Sequence, residues 1–336
     1  MKLRAWAEFI SPREVSRPEV VSLLKRYGVS PCLAMPHGSP GEYYSWFLHV
    51  YNQAGLEPAL WPTLADEQGY WPSERNWAVF SAYVKEIFAW AERENVTIPW
   101  LAVDLEPPYY QHQEISAARG MQKAGKMWKI YRSNMSRKRF RKAVKAYQEL
   151  QAYINERGCR TLVPALPVLE MEIKRDGNKL QNLLETPVGP VNWDVVSFMQ
   201  YNTLFAGMSR GSISLEQARW YLYLLCLNMK EKLGKRAGVS LGLTSTGKLG
   251  DEPYYREPEE MLPDVETALA AGMKDIAVFS LEGILNSAHP ESWLEMLRMA
   301  KPRIPARSWK VELFRKTGEG MLRLLPGAVD LDREEK

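Results

Sequence analysis

The sequence predicts one (β/α)8 barrel of the α/β class. Apolar, β-rich runs alternate regularly with segments of helical periodicity, and that alternation implies a parallel sheet. The runs number eight, the count at which such a sheet closes on itself. An open doubly wound sheet is the competing architecture. A length of 336 residues suits a single barrel with additions, and no Gly- or Pro-rich linker or internal repeat divides the chain.

The first run is Leu3 to Phe9, and Pro18 can open the helix that follows, Glu19 to Tyr27, at its first turn. Ser30 to Met35 is the second run, before an aromatic helix from Tyr43 to Gln53. Pro58 to Thr63 precedes a long helix, Glu74 to Arg93, and Ile98 to Leu105 precedes a basic excursion and a helix near Lys138 to Arg157. The fifth run is Thr161 to Val168, and the sixth is Val195 to Tyr201, with its helix at Leu215 to Leu233. Val239 to Thr244 leads to a helix near Glu259 to Ala271, and Asp275 to Leu281 leads to the last, Glu291 to Ala300. The barrel therefore occupies residues 1–300, with a basic insertion at about 107–137 after strand four. Residues 301–336 form a basic, partly amphipathic extension (Trp309, Leu313, Phe314, Met321, Leu322) that packs on the barrel or meets a partner.

With 46% hydrophobic and 25% charged residues, the composition is that of a globular protein and excludes a disordered chain. The longest apolar stretch, Tyr221 to Leu227, is far short of a membrane span. The acid at Glu8 interrupts any secretory apolar region near the start, so a cytoplasmic location is expected. Cys32, Cys159 and Cys226 have no metal-ligand spacing, and no cofactor is expected. The 12 Trp and 16 Tyr exceed what a core of this size needs.

In such a barrel the chemistry sits at the carboxyl ends of the strands. Strand four ends Trp100-Leu101-Ala102-Val103-Asp104-Leu105-Glu106-Pro107-Pro108. Strand alternation turns Asp104 and Glu106 to one side, with Trp100 and Ala102. Two carboxylates this close disfavour joint ionisation, so one keeps a proton, as a general acid must. A solvated acidic loop is the alternative, but Pro107-Pro108 disfavours a helix start there. Strand six ends Met199-Gln200-Tyr201-Asn202, with the Tyr201 phenol at the rim and Asn202 beside it.

Together these two stretches resemble glycoside hydrolase family 18, the chitinases and endo-β-N-acetylglucosaminidases, which carry D-x-x-D-x-D-x-E after strand four and M-x-Y-D after strand six. Asp104 and Glu106 match the last two acids of the first motif, and Met199-Gln200-Tyr201-Asn202 matches the second except that Asn202 replaces its Asp. Pro99 and Ala102 replace the two earlier acids, and Phe279-Ser280-Leu281-Glu282 lacks the tryptophan usual on strand eight. The resemblance implies a distant relative that hydrolyses an oligo- or polysaccharide, such as one containing N-acetylhexosamine, with retention and substrate assistance. In that scheme Glu106 protonates the leaving oxygen, Asp104 orients the 2-acetamido group that acts as nucleophile, and Tyr201 hydrogen-bonds its carbonyl.

Other residues bear on the same rim. Glu282, just past strand eight, is either an auxiliary catalytic carboxylate or a structural ion-pair partner. The third loop gathers Trp61, Asp66, Tyr70 and Trp71, and Tyr109 and Tyr110 follow strand four. Each ring alone fits a loop staple, whereas five on one face fit a carbohydrate cleft. Glu8 and His37 are expected to bind substrate at the rim; with Glu170 and Glu172 they alternatively suggest a metal-dependent isomerase or hydrolase, although the four histidines lack metal-site spacing. A non-catalytic carbohydrate-binding barrel is the other. Gly242 to Lys248 fits G-x-x-x-x-G-K, but Leu249 stands where magnesium binding needs Ser or Thr, and Gly250 and Pro253 break the required helix.

Ten Lys and Arg fall between Lys123 and Lys145, with no acid from Glu114 to Glu149. They exceed the net charge of +4, so the rest of the chain is acidic. A solvated helix face is one reading; an anionic ligand, a glycan over the cleft in particular, is the other, and nucleic acid is disfavoured.

Overall fold

The eight runs become strands β1 (Lys2–Ala7), β2 (Val29–Pro36), β3 (Ala59–Thr63), β4 (Trp100–Ala102), β5 (Arg160–Ala165), β6 (Val195–Met199), β7 (Ala237–Gly242) and β8 (Asp275–Phe279). In the computed structural model, which describes residues 1–116, 129–130, 132–209, 211–247, 253–325, 327, 329 and 331, they pair in parallel in chain order. β1 closes against β8, with Trp6 beside Phe279 on one side and Cys32 on the other, so the sheet is the closed (β/α)8 barrel expected.

The first connections carry helices α1 (Pro12–Val15), α2 (Pro18–Tyr27), α3 (Glu42–Gln53) and α4 (Trp77–Arg93). Ser11 and Glu14 form a reciprocal capping box at α1, and Gly28 ends α2 in the left-handed conformation. α4 starts three residues later than periodicity suggests. The Ser73 amide donates to Asn76 Oδ1 at 2.7 Å, and Asn76 Nδ2 donates to Gln68 and Trp71 carbonyls, so these groups make a turn instead of a first helical turn.

After β4 come α5 (Tyr109–Ser116) and α6 (Arg137–Glu156). Lys123 and Lys126 of the basic stretch lie outside the described residues, as do Lys248, Leu249 and Gly250 of the G-x-x-x-x-G-K match. A buried polar network anchors the excursion. Arg139 donates to Glu74 at 3.1 Å and to Glu185 at 2.7 Å, Arg75 also pairs with Glu185, and Gln111 and Asn134 complete the set. Burial, only partly offset by Arg139, raises the Glu74 carboxyl to about 8.

β5 stops at Ala165, because Pro167 opens a 3-10 turn that runs into α7 (Glu170–Ile173), followed by α8 (Lys179–Leu184). β6 stops at Met199, and Tyr201 becomes the N-cap of α9 (Asn202–Met208), ahead of α10 (Leu215–Leu233). α11 (Pro258–Ala270) follows β7. Ser280 caps α12 (Leu281–Leu285) after β8, ahead of α13 (Pro290–Met299). The C-terminal helix α14 (Trp309–Leu324) lies on the barrel. Buried Arg315 makes a two-pronged pair with Glu170, and Phe314 packs edge-on against Phe205 and Tyr221.

One large apolar layer fills the space between sheet and helices, and a smaller one fills the barrel. Within the barrel, Trp6 Nε1 donates to Ser240 Oγ at 3.0 Å, and Ser240 bonds Ser197. At the amino-terminal end Arg4 pairs with Asp275, while Lys2, Arg4 and Arg160 each lie over the Trp100 ring. Among the described residues, no helix is long and apolar enough to cross a membrane.

Candidate active site

Inward positions at the carboxyl ends of the strands converge on one cavity of about 130 Å³. β1 contributes Trp6 and, two residues on, Glu8; β3 contributes Trp61; the chain after β4 contributes Asp104 and Glu106. Met199 ends β6 and Tyr201 follows it, Leu243 follows β7, and Phe279 ends β8. Trp71 closes one wall. The β4 geometry follows from alternation: Trp100 and Ala102 point into the barrel core, so the next inward positions, 104 and 106, open at its mouth.

Asp104 is only 2% exposed, and the Trp61 indole N–H faces its carboxyl, partly offsetting the effect of burial. Ala102 occupies the inward position one step below Asp104 and contributes only a methyl group to the core. Burial, with the Glu106 and Glu8 charges added, holds the Asp104 carboxyl well above the ordinary range. Glu106 is partly buried, and its amide donates to the Pro72 carbonyl at 3.2 Å, tying the acid to the third loop. Burial and the nearby Glu8 push its carboxyl up to about 8. The Tyr201 hydroxyl is held well above its usual value by burial and then by Asp104, Glu106 and Glu8, so it stays a neutral donor. Its ring lies 6.0 Å from Phe279.

Glu8 accepts from the Tyr70 hydroxyl at 2.7 Å. Tyr70 adopts a left-handed backbone (φ 61°) and packs edge-on against Trp71 at 5.1 Å. Tyr109 packs against both rings, at 6.3 and 5.6 Å. These contacts make Tyr70 and Tyr109 the support of the Trp71 wall rather than part of the lining.

Several residues expected at the rim are engaged elsewhere. Glu282 does not line the cavity; its Oε1 accepts from the Phe9 and Ile10 amides, clamping the loop after β1. Asn202 is fully buried and its Oδ1 accepts from Gln200. Asp66 opens an exposed 3-10 turn, and Tyr110 is 40% exposed on α5. His37 is exposed and packs edge-on to Tyr83. Glu170 is spent on Arg315, and Glu172 accepts the amides of residues 179–181 at the start of α8. Among the described residues no three His, Cys, Asp or Glu side chains come together to hold a metal ion. The acids proposed for that role are dispersed.

Sequence reasoning passed over Trp6, Leu243 and Phe279 as lining residues. The signal for Trp6 was present, because it precedes Glu8 by two and so shares its face. The approach of β7 to β8 at the cavity floor depends on glycine: a Cβ at Gly242 would lie 2.4 Å from the Phe279 carbonyl oxygen.

No protein-family model matches the chain, and no curated protein matches it. Among solved structures it is similar to the PgaB (BpsB) glycoside hydrolase domain from Bordetella bronchiseptica, at 12% identity and TM-score 0.51, covering 90% of this chain and 99% of that one. It is also similar to a D-allulose 3-epimerase from Methylomonas sp. at 11% identity and TM-score 0.45, covering 95% and 98% of the two chains. A family 5 xyloglucanase from Paenibacillus pabuli matches at 13% identity and TM-score 0.46, covering 87% and 90%. At 12% identity the likeness to the Bordetella domain bears on the fold alone, the same closed barrel that the strand pairing shows.

Proposed function

We propose that this barrel is a glycosidase acting on an oligo- or polysaccharide, with Glu106 as general acid/base, Asp104 as its partner and Tyr201 as a positioning donor. The observation that carries the reading is the gathering of these three groups, with aromatic walls, around one cavity at the carboxyl end of the strands. A carboxyl raised to about 8 holds its proton at neutral pH, as a group protonating a leaving oxygen must. The glycoside hydrolase domain with the same fold is consistent with this chemistry.

The family 18 resemblance supports a finer scheme, in which the substrate is an N-acetylhexosaminide. Glu106 gives its proton to the glycosidic oxygen as the bond to C1 breaks, and the 2-acetamido carbonyl oxygen bonds to C1. Tyr201 donates to that oxygen, and Asp104 Oδ1 accepts from the acetamido N–H. Glu106 then takes a proton from the water that opens the intermediate. A barrel that binds glycans without cleaving them is the second reading, favoured by the alanine at position 102.

The test is hydrolysis of aryl glycosides and N-acetylglucosamine oligomers by the wild type and Glu106→Gln. The proposal expects wild-type cleavage that falls at least about a hundredfold in the variant. Equal rates would remove Glu106 from the mechanism, and binding without cleavage by the wild type would establish the second reading.

A further inference from the structure

A second groove, of about 590 Å³, lies beside the loop after β1, where α1 meets α2. Its lining includes Arg13, Arg17, Ser16 and Trp46, together with Ser11 and the carboxylate of Glu14. Helices of this barrel start at the carboxyl ends of the strands, so the groove shares a rim with the cavity. Ser11 is three residues beyond the cavity residue Glu8, a chain reach of at most about 11 Å.

The groove has the chemistry of a site for a negatively charged ring. Arg13 and Arg17 are exposed, and among the described residues neither guanidinium makes a close ion pair, although the Arg17 charge reaches Glu14 and helps lower its carboxyl. Glu14 is the acid in the lining, and its carboxylate is committed to the Ser11 amide and hydroxyl, at 3.2 and 2.8 Å. Arg17 is the N-cap of the ten-residue α2 and makes no side-chain cap, leaving the positive end of that helix open. Independently, Ser16 is 4% exposed, and its Oγ has no hydrogen-bond partner among the described residues although it belongs to the groove lining. Trp46 is 53% exposed and presents a broad apolar ring beside these groups, and it stacks with His49.

We propose that this groove is a binding subsite for an acidic sugar unit, with the ring laid on Trp46 and the oxyanion held by Arg13 and Arg17. The planar guanidinium fork matches carboxylate, sulfate and phosphate oxygens alike, and Ser16 supplies a neutral hydroxyl at the floor. The inference rests on the reading of this barrel as glycan-directed and does not require that it cleave. It makes the preferred ligand an acidic glycan, with one unit in the cavity and an anionic unit in the groove.

The test is calorimetric titration of full-length Glu106→Gln protein with three tetrasaccharides, one neutral, one containing hexuronate and one sulfated, and with inorganic phosphate. At least one acidic tetrasaccharide should bind tenfold or more tighter than the neutral one, and the winner identifies the oxyanion. That preference should vanish in Arg13→Gln/Arg17→Gln, weaken about tenfold in Trp46→Ala, and shrink with added salt. These side chains are exposed, and unchanged circular dichroism would confirm that the variants fold. Equal binding of acidic and neutral probes would overturn the proposal, as would a preference surviving in the double arginine variant. Phosphate binding as tightly as the acidic tetrasaccharide would overturn the sugar assignment. An arginine-dependent preference in a protein whose wild type cleaves no glycan would sink the glycosidase proposal and leave this one standing.

Discussion

Glu106 is held in a state that costs stability, and Glu106→Gln should make the protein more stable as it inactivates it. Burial and Glu8 raise its carboxyl from the ordinary 4.5 to about 8. Between those values the folded protein binds a proton that the unfolded chain has released, so stability falls as pH rises through that window. At pH 7 the resulting penalty is on the order of 3 kcal/mol, and at pH 5 it is less than about 1 kcal/mol. Glutamine has the same shape and no titration. Urea unfolding of wild type and variant should therefore show a stabilisation of about 2–3 kcal/mol at pH 7 that largely disappears at pH 5. A variant that tracks the wild type at both pH values would refute the claim that the buried acid is kept protonated by its surroundings.

Further consequences follow from the same contacts. Tyr201→Phe should leave unfolding unchanged within about 1 kcal/mol but lower turnover at least about tenfold, read from initial rates on the best substrate. Gly242→Ala should destabilise by about 1–3 kcal/mol and reduce activity as well, because its Cβ would meet the Phe279 carbonyl at the cavity floor; thermal unfolding and rates measure the two effects. Arg315→Met should cost about 3 kcal/mol by removing the two-pronged partner of buried Glu170, whose carboxylate keeps only Asn228 and Lys174, and adding Glu170→Gln should restore most of it. Amide exchange over α14 would follow the change locally.

Much of the fold is legible because its signals are local. Strand alternation alone turned positions 104 and 106 to one face, and the structure opens that face into the cavity. The same logic would have found Trp6. What could not be read were fates decided by distant partners. By position Glu170 reads as a rim acid, yet Arg315, 145 residues away, takes it. Glu282 follows a strand end, but Ser280 starts a helix there and turns the carboxylate onto the Phe9 and Ile10 amides. Strand five was overextended because Pro167 and the turn it starts lie inside an apolar run that periodicity cannot divide. The loop rings were collected as one cleft, whereas packing separates the wall, Trp61 and Trp71, from its buttress, Tyr70 and Tyr109.

The central claim is that Glu106 delivers a proton to a leaving oxygen, and leaving-group dependence tests it most directly. Rates of Glu106→Gln relative to wild type should be compared on two glycosides of one sugar, with a dinitrophenyl and an unactivated phenyl leaving group. The variant should show a large loss, about a hundredfold or more, on the phenyl glycoside and little loss of the bond-breaking step on the dinitrophenyl one, which needs no proton. An equal loss on both, or none on either, would contradict it.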